Sequence, residues 1–118
     1  MGCTAENVAR EFSISREKQD EFALNSHSKA QIAQEKGIFA EEIIPVNNNQ
    51  RNSEMINRDE GVRLNQKIED LMKLRPYFER STGTVTVGNS SQVTDGASFA
   101  ILMKESKAKE LGFDPLGY

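Results

Sequence analysis

The spacing of apolar positions predicts a helix close to the start of the chain. Val8 and Phe12 lie one helical turn apart, and Glu6 falls in the first turn of the helix that this spacing implies. Thr4 precedes them and is a residue type whose side chain caps helix N-termini. The pattern therefore predicts a short helix that begins after a cap at Thr4.

A second, longer helix is predicted between Ser15 and Gly37. Ser15 is a suitable N-cap, and Gly37 readily adopts the left-handed conformation that ends many helices. We expect one narrow face of this helix to pack closely on a neighbouring element, because most of its side chains are small. Residues recur along that face at steps of three and four: Gln19, Phe22, Ala23, Ser26, Ala30 and Ala33.

The middle of the chain predicts a short hairpin and then a short helix. A strand is expected over residues 42–46, followed by a polar turn over residues 47–54. The stretch MINRDEGVR is expected to return as a second strand. The stretch NQKIEDLMKL predicts a short helix that Pro76 stops, because the residue before a proline disfavours helical angles.

The last third of the chain sets many small polar residues against an apolar run. In GTVTVGNSSQVTDGASFAILM, residues 83–103, the first part is mostly glycine, serine, threonine and asparagine. The apolar run over 97–104 predicts a strand that is covered on both faces. A small helix is expected over 106–111, closed by Gly112. On these residues alone, the small residues favour a turn that feeds a buried strand over a bare backbone that a ligand approaches.

Composition narrows the class of protein. The 118 residues, of which 36% are hydrophobic and 28% charged, suit one folded domain or a piece of a larger one. The formal net charge of −3 argues against a nucleic-acid-binding face, and no stretch is long enough to span a membrane. Cys3 is alone and indicates a reducing compartment, and His27 with Cys3 is too small a set for a metal site. Whether the two ends are natural termini or cut from a longer chain stays open at this point.

Five segments, taken in order, resemble those of thiolases. MGCTAENVAREFSISREKQDEFALNSHSKA is similar to the family segment that begins at a His-Met-Gly sequence. EEIIPV, DEGVR, KLRPYF and GTVTVGNSSQVTDGASFAILM are similar to the segments that follow it. The end of the chain resembles most the β-subunit type that works with the fatty-acid oxidation multienzyme. The resemblance covers essentially the whole chain, and the interval between EEIIPV and DEGVR is the least alike.

The resemblance implies an α/β, thiolase-like fold. The chain would hold the mostly helical excursion that covers the active site, together with the last strand and helix of the N-terminal half. Residues 1–82 are expected to form the loop-domain segment, with helices and a short hairpin. Residues 83–118 are expected to supply a loop, a strand and a helix that complete the half.

The resemblance also implies an acyltransferase that cleaves 3-ketoacyl-CoA with coenzyme A, or condenses acetyl-CoA units. In thiolases a cysteine nucleophile, a second cysteine and a histidine carry the reaction, and none of these lies in the part of the family seen here. We therefore expect no catalytic residue in this chain and no activity from the chain alone. Cys3 matches a variable position, and His27 is expected to lie on the surface of its helix or in helix packing.

Two residues of the coenzyme A site are implied by the middle segments. Arg63 of DEGVR matches the arginine that meets the nucleotide end of coenzyme A, and its alternative is a surface salt bridge with Asp59 or Glu60. Phe78 of RPYF matches an aromatic residue against the pantetheine arm, and its alternative is a core position.

The resemblance implies further contacts at the start and in the last third of the chain, and at one position the sequence departs from the family pattern. Ser91 matches the serine that hydrogen-bonds a pantetheine amide, and Val87 and Ser90 line the same wall. Met1 matches the methionine that faces the acyl pocket. Asp70 stands where a serine that meets the adenine ring is common, so a contact there is uncertain because an aspartate is unfavourable near a phosphate.

The partners follow from the same resemblance. Coenzyme A and acyl-CoA are expected as substrates, with no cofactor, no metal, no nucleic acid and no membrane span. The parent is expected to be a homo-oligomer, with a fatty-acid oxidation α subunit as a further partner. Its expected location is the cytoplasm, or the mitochondrion or peroxisome in a eukaryote. Two alternatives stay open: a non-catalytic binding module for coenzyme A or acyl-CoA, and a helical interaction domain.

Overall fold

The structure is a computed structural model that describes residues 1–47 and 55–117. The described residues form four helices, and two short strands, β1 and β2, pair antiparallel with Val46 opposite Ile56. No helix in these two ranges is long and apolar enough to cross a membrane. In chain order the elements are α1 Gly2–Glu11, α2 Arg16–Glu35, β1 Val46–Asn47, β2 Met55–Ile56, α3 Ile68–Met72 and α4 Glu105–Glu110.

α1 begins earlier than the sequence predicts, so the predicted Thr4 cap is wrong. The backbone N–H of Ala5 donates to the carbonyl of Met1 at 3.0 Å, which makes Met1 the N-cap residue. Gly2 fits the first turn because the ring of Phe78 fills the space that a Cβ at residue 2 would occupy. A side chain at residue 2 would therefore clash with Phe78, a residue far along the chain.

α2 confirms its prediction at both ends. The Ser15 hydroxyl accepts a hydrogen bond from the backbone N–H of Lys18 at 3.4 Å. Gly37 follows the helix with a φ of 69°, and the two backbone hydrogen bonds of a Schellman motif close the last turn. The same motif ends α1 at Ser13, with a φ of 51°, and ends α4 at Gly112, with a φ of 72°. The predicted helix over 106–111 and its glycine terminus are thus confirmed to within one residue.

The predicted hairpin is present but is shorter than expected. β1 takes in only the last residue of the predicted strand 42–46, because the chain after α2 continues in turns closed on the carbonyl of Phe39. Of the returning stretch, only Met55–Ile56 pairs. Asn47 belongs to β1 rather than to a turn, and the rest of the predicted polar turn, residues 48–54, lies outside the described residues.

The predicted strand over residues 97–104 is not formed. These residues have no regular structure and are exposed, Leu102 to 94%. Within residues 1–47 and 55–117 the only paired strands are β1 and β2, so no neighbouring strand is available to this backbone. The radius of gyration is 20.0 Å, against about 13 Å for a compact domain of about 100 residues. The apolar run therefore lies outside any core that the described chain closes.

Buried carboxylates share the interior with a small number of apolar side chains. The Glu6 side chain is 1% exposed, and its oxygens accept hydrogen bonds from the backbone N–H groups of Thr84 and Val85, each at 2.9 Å. The Thr84 hydroxyl donates to the same carboxylate at 3.3 Å. Because a buried charge is costly unless it is hydrogen-bonded, this contact fixes α1 against residues 84–85. The other buried residues of the described chain are Ala9, Asp20, Leu71, Val85, Thr86 and Ala108.

A second buried carboxylate, Asp20, connects α2 with α3 and with the loop that follows residue 84. One of its oxygens accepts from Arg16 Nε at 2.7 Å, and the other accepts from Asn89 Nδ2 at 3.0 Å. The same arginine donates to the carbonyls of Leu71 at 2.6 Å and Leu74 at 3.0 Å. α3 covers only five residues of its predicted stretch, and a side chain of α2 satisfies carbonyl groups at its end.

A surface ion pair joins α1 to the turn that precedes residue 84. Arg10 Nη1 lies 2.6 Å from Glu79 Oε2. The hydrogen bonds that Arg10 donates to Glu79 lower the pKa of Glu79 and raise the pKa of Arg10. Because the pKa of Glu79 is lowered on folding, the stabilisation is present above the ordinary carboxyl pKa and is lost as pH falls through the lowered value. The pair is open to solvent, so its contribution is small.

Replacing Glu6 by glutamine should lower the stability of the chain. Glutamine keeps one acceptor oxygen, but its NH2 group takes the place of the other oxygen. With the oxygen at Oε1, both backbone N–H groups keep an acceptor, and the NH2 group faces the N–H of Thr84 at the Oε2 position, donor against donor. We expect a cost of about 1–3 kcal/mol, measured as a fall in the midpoint of thermal unfolding. Glu11→Gln is the matched control, because Glu11 is exposed on the same helix and its side chain forms no hydrogen bond in the described chain. Equal midpoints for the two variants would contradict a stabilising role for the Glu6 carboxylate.

Candidate functional site

A cleft of about 900 Å³ lies between α2, the stretch 60–63 and the loop 87–92. Its three sides come from parts of the chain that are distant in sequence, and hydrogen bonds hold two of those parts on α2. The residues that line it are Phe22, Ala23, Ser26 and His27 of α2, Glu60, Gly61, Val62 and Arg63, and residues 87–92.

The small-residue face of α2 forms one side of this cleft. Ala23 and Ser26 line the cleft, and Ala30 lines a smaller adjoining space of about 400 Å³. Phe22 stands at the rim and is 78% exposed. Within the described residues no element packs closely on these positions, because the small side chains leave room in front of the helix.

The 59–65 segment forms the second side, and polar side chains of α2 hold it by its backbone. Gln34 donates to the carbonyl of Asp59 at 2.8 Å, and Gln31 accepts from the backbone N–H of Asn65 at 3.1 Å. Between these two bonds, Nδ1 of His27 accepts from the backbone N–H of Arg63 at 3.2 Å. The three α2 side chains stand at positions 27, 31 and 34, so they share one face of the helix.

The loop 87–92 forms the third side, and the side chains of Thr86 and Asn89 hold its backbone. The Thr86 hydroxyl accepts from the backbone N–H groups of Gly88 at 3.1 Å and Asn89 at 3.3 Å. Asn89 in turn accepts from the backbone N–H of Thr86 at 2.7 Å and donates to Asp20. A Cβ at Gly88 would lie 2.6 Å from a methyl carbon of Leu71 and 2.5 Å from one of Leu74. The packing of the loop on Leu71 and Leu74 is therefore enough to explain why residue 88 is a glycine, without reference to a ligand in the cleft.

Four of the predicted site residues line the cleft together: Arg63, Val87, Ser90 and Ser91. The guanidinium of Arg63 forms no ion pair in the described chain, so the alternative salt bridge with Asp59 or Glu60 is not made. Asp59 instead accepts from the backbone N–H of Gly61 at 2.8 Å. A cation that forms no ion pair within residues 1–47 and 55–117 thus lies at one side of the cleft.

The two serines of the loop differ in what their hydroxyl groups already bind. Ser90 donates to the carbonyl of Thr86 at 2.7 Å, a contact that belongs to the loop itself. Ser91 is exposed, and its hydroxyl donates only in a long contact of 3.4 Å to the carbonyl of Gln92. Ser91 is therefore the hydroxyl of the two that is better able to hydrogen-bond a ligand in the cleft.

The other predicted site residues lie away from this cleft. Met1 is fully exposed, and Asp70 pairs with Lys73 at 3.2 Å on the surface of α3. Phe78 contacts Gly2 and packs edge-on against Tyr77, with ring centroids 5.1 Å apart. None of these three residues lines the cleft that Arg63 and Ser91 line.

His27 makes a contact that reasoning from the sequence missed. It was expected on the helix surface or in helix packing, and it is half-buried in α2, as that expectation allows. Its acceptor contact with Arg63 was not foreseen, because the partner is a backbone N–H, which no residue type reveals. The spacing of His27, Gln31 and Gln34 was the one available signal, since it places three polar side chains on one helical face.

The chemistry available in the cleft is that of binding a polar or anionic group. Arg63 offers a cation, Ser91 offers a hydroxyl donor, and Val87 offers an apolar surface. Cys3 is exposed on α1 and does not line the cleft. In the part of the chain that the structure describes, no three His, Cys, Asp or Glu side chains are grouped to hold a metal ion.

Comparison with known proteins gives one consistent family. Residues 1–106 match the family model described as thiolase, N-terminal domain. Two probable acetyl-CoA acyltransferases of Staphylococcus aureus, from strains COL and MSSA476, are 52% and 51% identical to the chain. Each alignment covers 98% of this chain and 30% of the relative. The chain therefore spans about 30% of the length of these curated relatives.

Solved structures agree with the family model. The Bacillus anthracis acetyl-CoA acetyltransferase matches with a TM-score of 0.85 and 43% identity, over 98% of this chain and 29% of that one. The dimeric peroxisomal thiolase of Saccharomyces cerevisiae matches with a TM-score of 0.73 and 47% identity, over 79% of this chain and 23% of that one. The thiolase-like fold expected from the sequence is thus confirmed.

The family match covers nine-tenths of the chain without a break at the predicted division between residues 82 and 83, and that division stays a prediction. The 59–65 segment and the loop 87–92, which hydrogen bonds hold against α2, both lie within the matched residues. The fold, the relatives and the family model together show that this chain belongs to the thiolase N-terminal domain family.

Proposed function

We propose that the chain is the substrate-binding middle part of a thiolase that cleaves 3-ketoacyl-CoA with coenzyme A or condenses acetyl-CoA units. The observation that carries the proposal is the cleft in which Arg63, with no ion-pair partner in the described chain, faces the same space as Ser91 and Val87. Membership of the thiolase family and the names of the relatives support coenzyme A as the ligand of this cleft.

Each group in the cleft has a role in this proposal. Arg63 binds the phosphates at the nucleotide end, because a guanidinium offers several N–H donors and a charge to a phosphate. Ser91 donates to an amide of the pantetheine arm, and Val87 and Ser90 form the wall beside it. Coenzyme A and acyl-CoA are substrates here, and no cofactor is required.

The contacts proposed for the remaining residues depend on parts of the protein beyond this chain. Met1 would face the acyl pocket and Phe78 would contact the pantetheine arm. Asp70 would take no phosphate, because two negative charges repel each other, and its pairing with Lys73 is in keeping with that.

Oligomerisation and location belong to the same proposal. We infer that the parent is a homo-oligomer, and the dimeric state of the related yeast peroxisomal thiolase supports this inference. A fatty-acid oxidation α subunit as partner, a role in β-oxidation and a cytoplasmic location rest on the sequence resemblance alone.

Two alternative functions are distinguished by the coding sequence. A non-catalytic module for coenzyme A or acyl-CoA, or a helical interaction domain, would need no cysteine upstream of this chain and no histidine–cysteine pair downstream. The thiolase proposal requires both.

The chain on its own should show no thiolase activity. The proposal assigns the nucleophile and its acid–base partners to other parts of the protein, because Cys3 does not line the cleft. The measurement is cleavage of acetoacetyl-CoA by the purified chain, with the full-length protein as the positive control. Activity that disappears in Cys3→Ser would contradict this division of roles.

Arg63→Ala in the full-length protein should weaken the binding of coenzyme A about tenfold or more. A hydrogen bond to a charged group contributes about 1.5–3 kcal/mol, and about 1.4 kcal/mol corresponds to a tenfold change in affinity. The pantetheine fragment should bind almost as before, because it lacks the nucleotide phosphates. Titration calorimetry with both ligands measures the difference. Arg58→Ala is the control, since Arg58 is exposed and lies outside the cleft lining, and an equal loss for both ligands would exclude the proposed role.

Ser91→Leu in the full-length protein should weaken the binding of coenzyme A and of pantetheine alike, with the fold intact. The loss of one neutral hydrogen bond costs about 0.5–1.5 kcal/mol, and the leucine side chain also takes up space in the cleft. Ser91→Ala removes the hydroxyl without adding bulk and separates the two effects. Ser106→Leu is the control, because Ser106 is exposed in α4 away from the cleft. Unchanged binding, or a much lower unfolding temperature, would mean that Ser91 serves only the turn.

A further inference from the structure

His27 joins the α2 side of the cleft to the residue that carries the cation. It is half-buried in α2 and lines the cleft together with Arg63. Its Nδ1 accepts the backbone N–H of Arg63 at 3.2 Å. The contact is made by the backbone of Arg63, so the guanidinium is left to interact with other groups.

The direction of this hydrogen bond assigns the tautomer of the imidazole. A nitrogen that accepts from an N–H group carries no proton itself, so the ring proton is assigned to Nε2. The neutral ring therefore acts on Arg63 as an acceptor. A side chain without an acceptor at this position would leave the Arg63 N–H without its partner on α2.

The two neighbouring hydrogen bonds hold the ends of the 59–65 segment rather than its middle. Gln34 binds the carbonyl of Asp59, and Gln31 binds the N–H of Asn65. Gln92 of the loop binds the carbonyl of Gly61 at 2.9 Å. At Arg63 itself, the hydrogen bond with α2 in the described residues is the one that its backbone N–H donates to His27.

Two carboxylates close to Arg63 make this restraint relevant to binding. Glu60 lines the same cleft, and Asp59 lines the adjoining space in which His27 also lies. Residues three and four positions before Arg63 are near enough in sequence to capture a mobile guanidinium. In the described chain neither of them does so.

We propose that His27 is a positioning residue for the anion-binding role of Arg63. By holding the backbone of Arg63 on α2, it keeps the guanidinium directed to the ligand and away from internal carboxylates. The inference rests on the proposed function, in which Arg63 binds the nucleotide phosphates of coenzyme A. His27 acts through Arg63 and takes no part in the chemical step.

The experiment compares two substitutions of His27 in the full-length protein, titrated with coenzyme A and with pantetheine. His27→Ala removes the acceptor and should lower the affinity for coenzyme A about threefold to tenfold, which is the effect expected from the loss of one neutral hydrogen bond. His27→Asn places Oδ1 near the position of Nδ1 and should restore the affinity to within about twofold of the starting protein. Lys29→Ala, an exposed change on the same helix, should leave both affinities unchanged.

A double-substitution cycle tests whether His27 acts through Arg63. In the Arg63→Ala background, His27→Ala should have no further effect on the affinity for coenzyme A, since the guanidinium it positions is gone. Additive effects, or an equal loss of pantetheine binding in His27→Ala, would overturn the inference and give His27 a general structural role. Full affinity in His27→Ala beside weakened binding in Arg63→Ala would overturn the inference and leave the proposed function standing. Failure of the unsubstituted protein to bind coenzyme A would overturn both.

Discussion

Glu6 is a buried carboxylate that accepts the backbone N–H groups of two successive residues, Thr84 and Val85. The described chain buries only four apolar side chains, so this contact is one of the few that fix α1 against a distant part of the chain. Its loss would leave a charge without partners in a place from which water is excluded. Residues 87–92, which follow Thr84 and Val85 closely in the chain, form one side of the cleft, so the position of that side depends on this carboxylate.

Asp20 extends the same principle to α2. Its carboxylate accepts hydrogen bonds from Arg16 of the same helix and from Asn89 of the loop. Arg16 also donates to two backbone carbonyls at the end of α3. Each member of this buried group has partners, which is the condition under which polar networks stabilise a single arrangement. α2 consequently holds the loop through a carboxylate and the 59–65 segment through His27, Gln31 and Gln34. The cleft is the space left between these two sets of hydrogen bonds.

Features set by local chemistry could be predicted from the sequence. The cap at Ser15 and the helix ends at Gly37 and Gly112 depend on residues within one turn, and all three are confirmed. Features that involve a distant residue could not be predicted: the ring of Phe78 fills the space beside Gly2 at the start of α1, and within residues 1–47 and 55–117 no strand pairs with the run 97–104. For the site, the family resemblance rather than the residue pattern selected Arg63, Val87, Ser90 and Ser91. No pattern could identify the backbone N–H that His27 accepts, because every residue except proline carries one.

The sequence distance between Glu6 and Thr84 has a consequence for the order in which the chain acquires its structure during synthesis. The two residues are 78 positions apart, and at about 5–20 residues per second the ribosome needs roughly 4–16 s to make the intervening chain. α1 and α2 can form from local contacts within that time, whereas the carboxylate stays hydrated until its backbone donors have emerged. The emergence of residues 84 and 85 therefore decides when α1 can be held in place, and the loop side of the cleft can be positioned only after that.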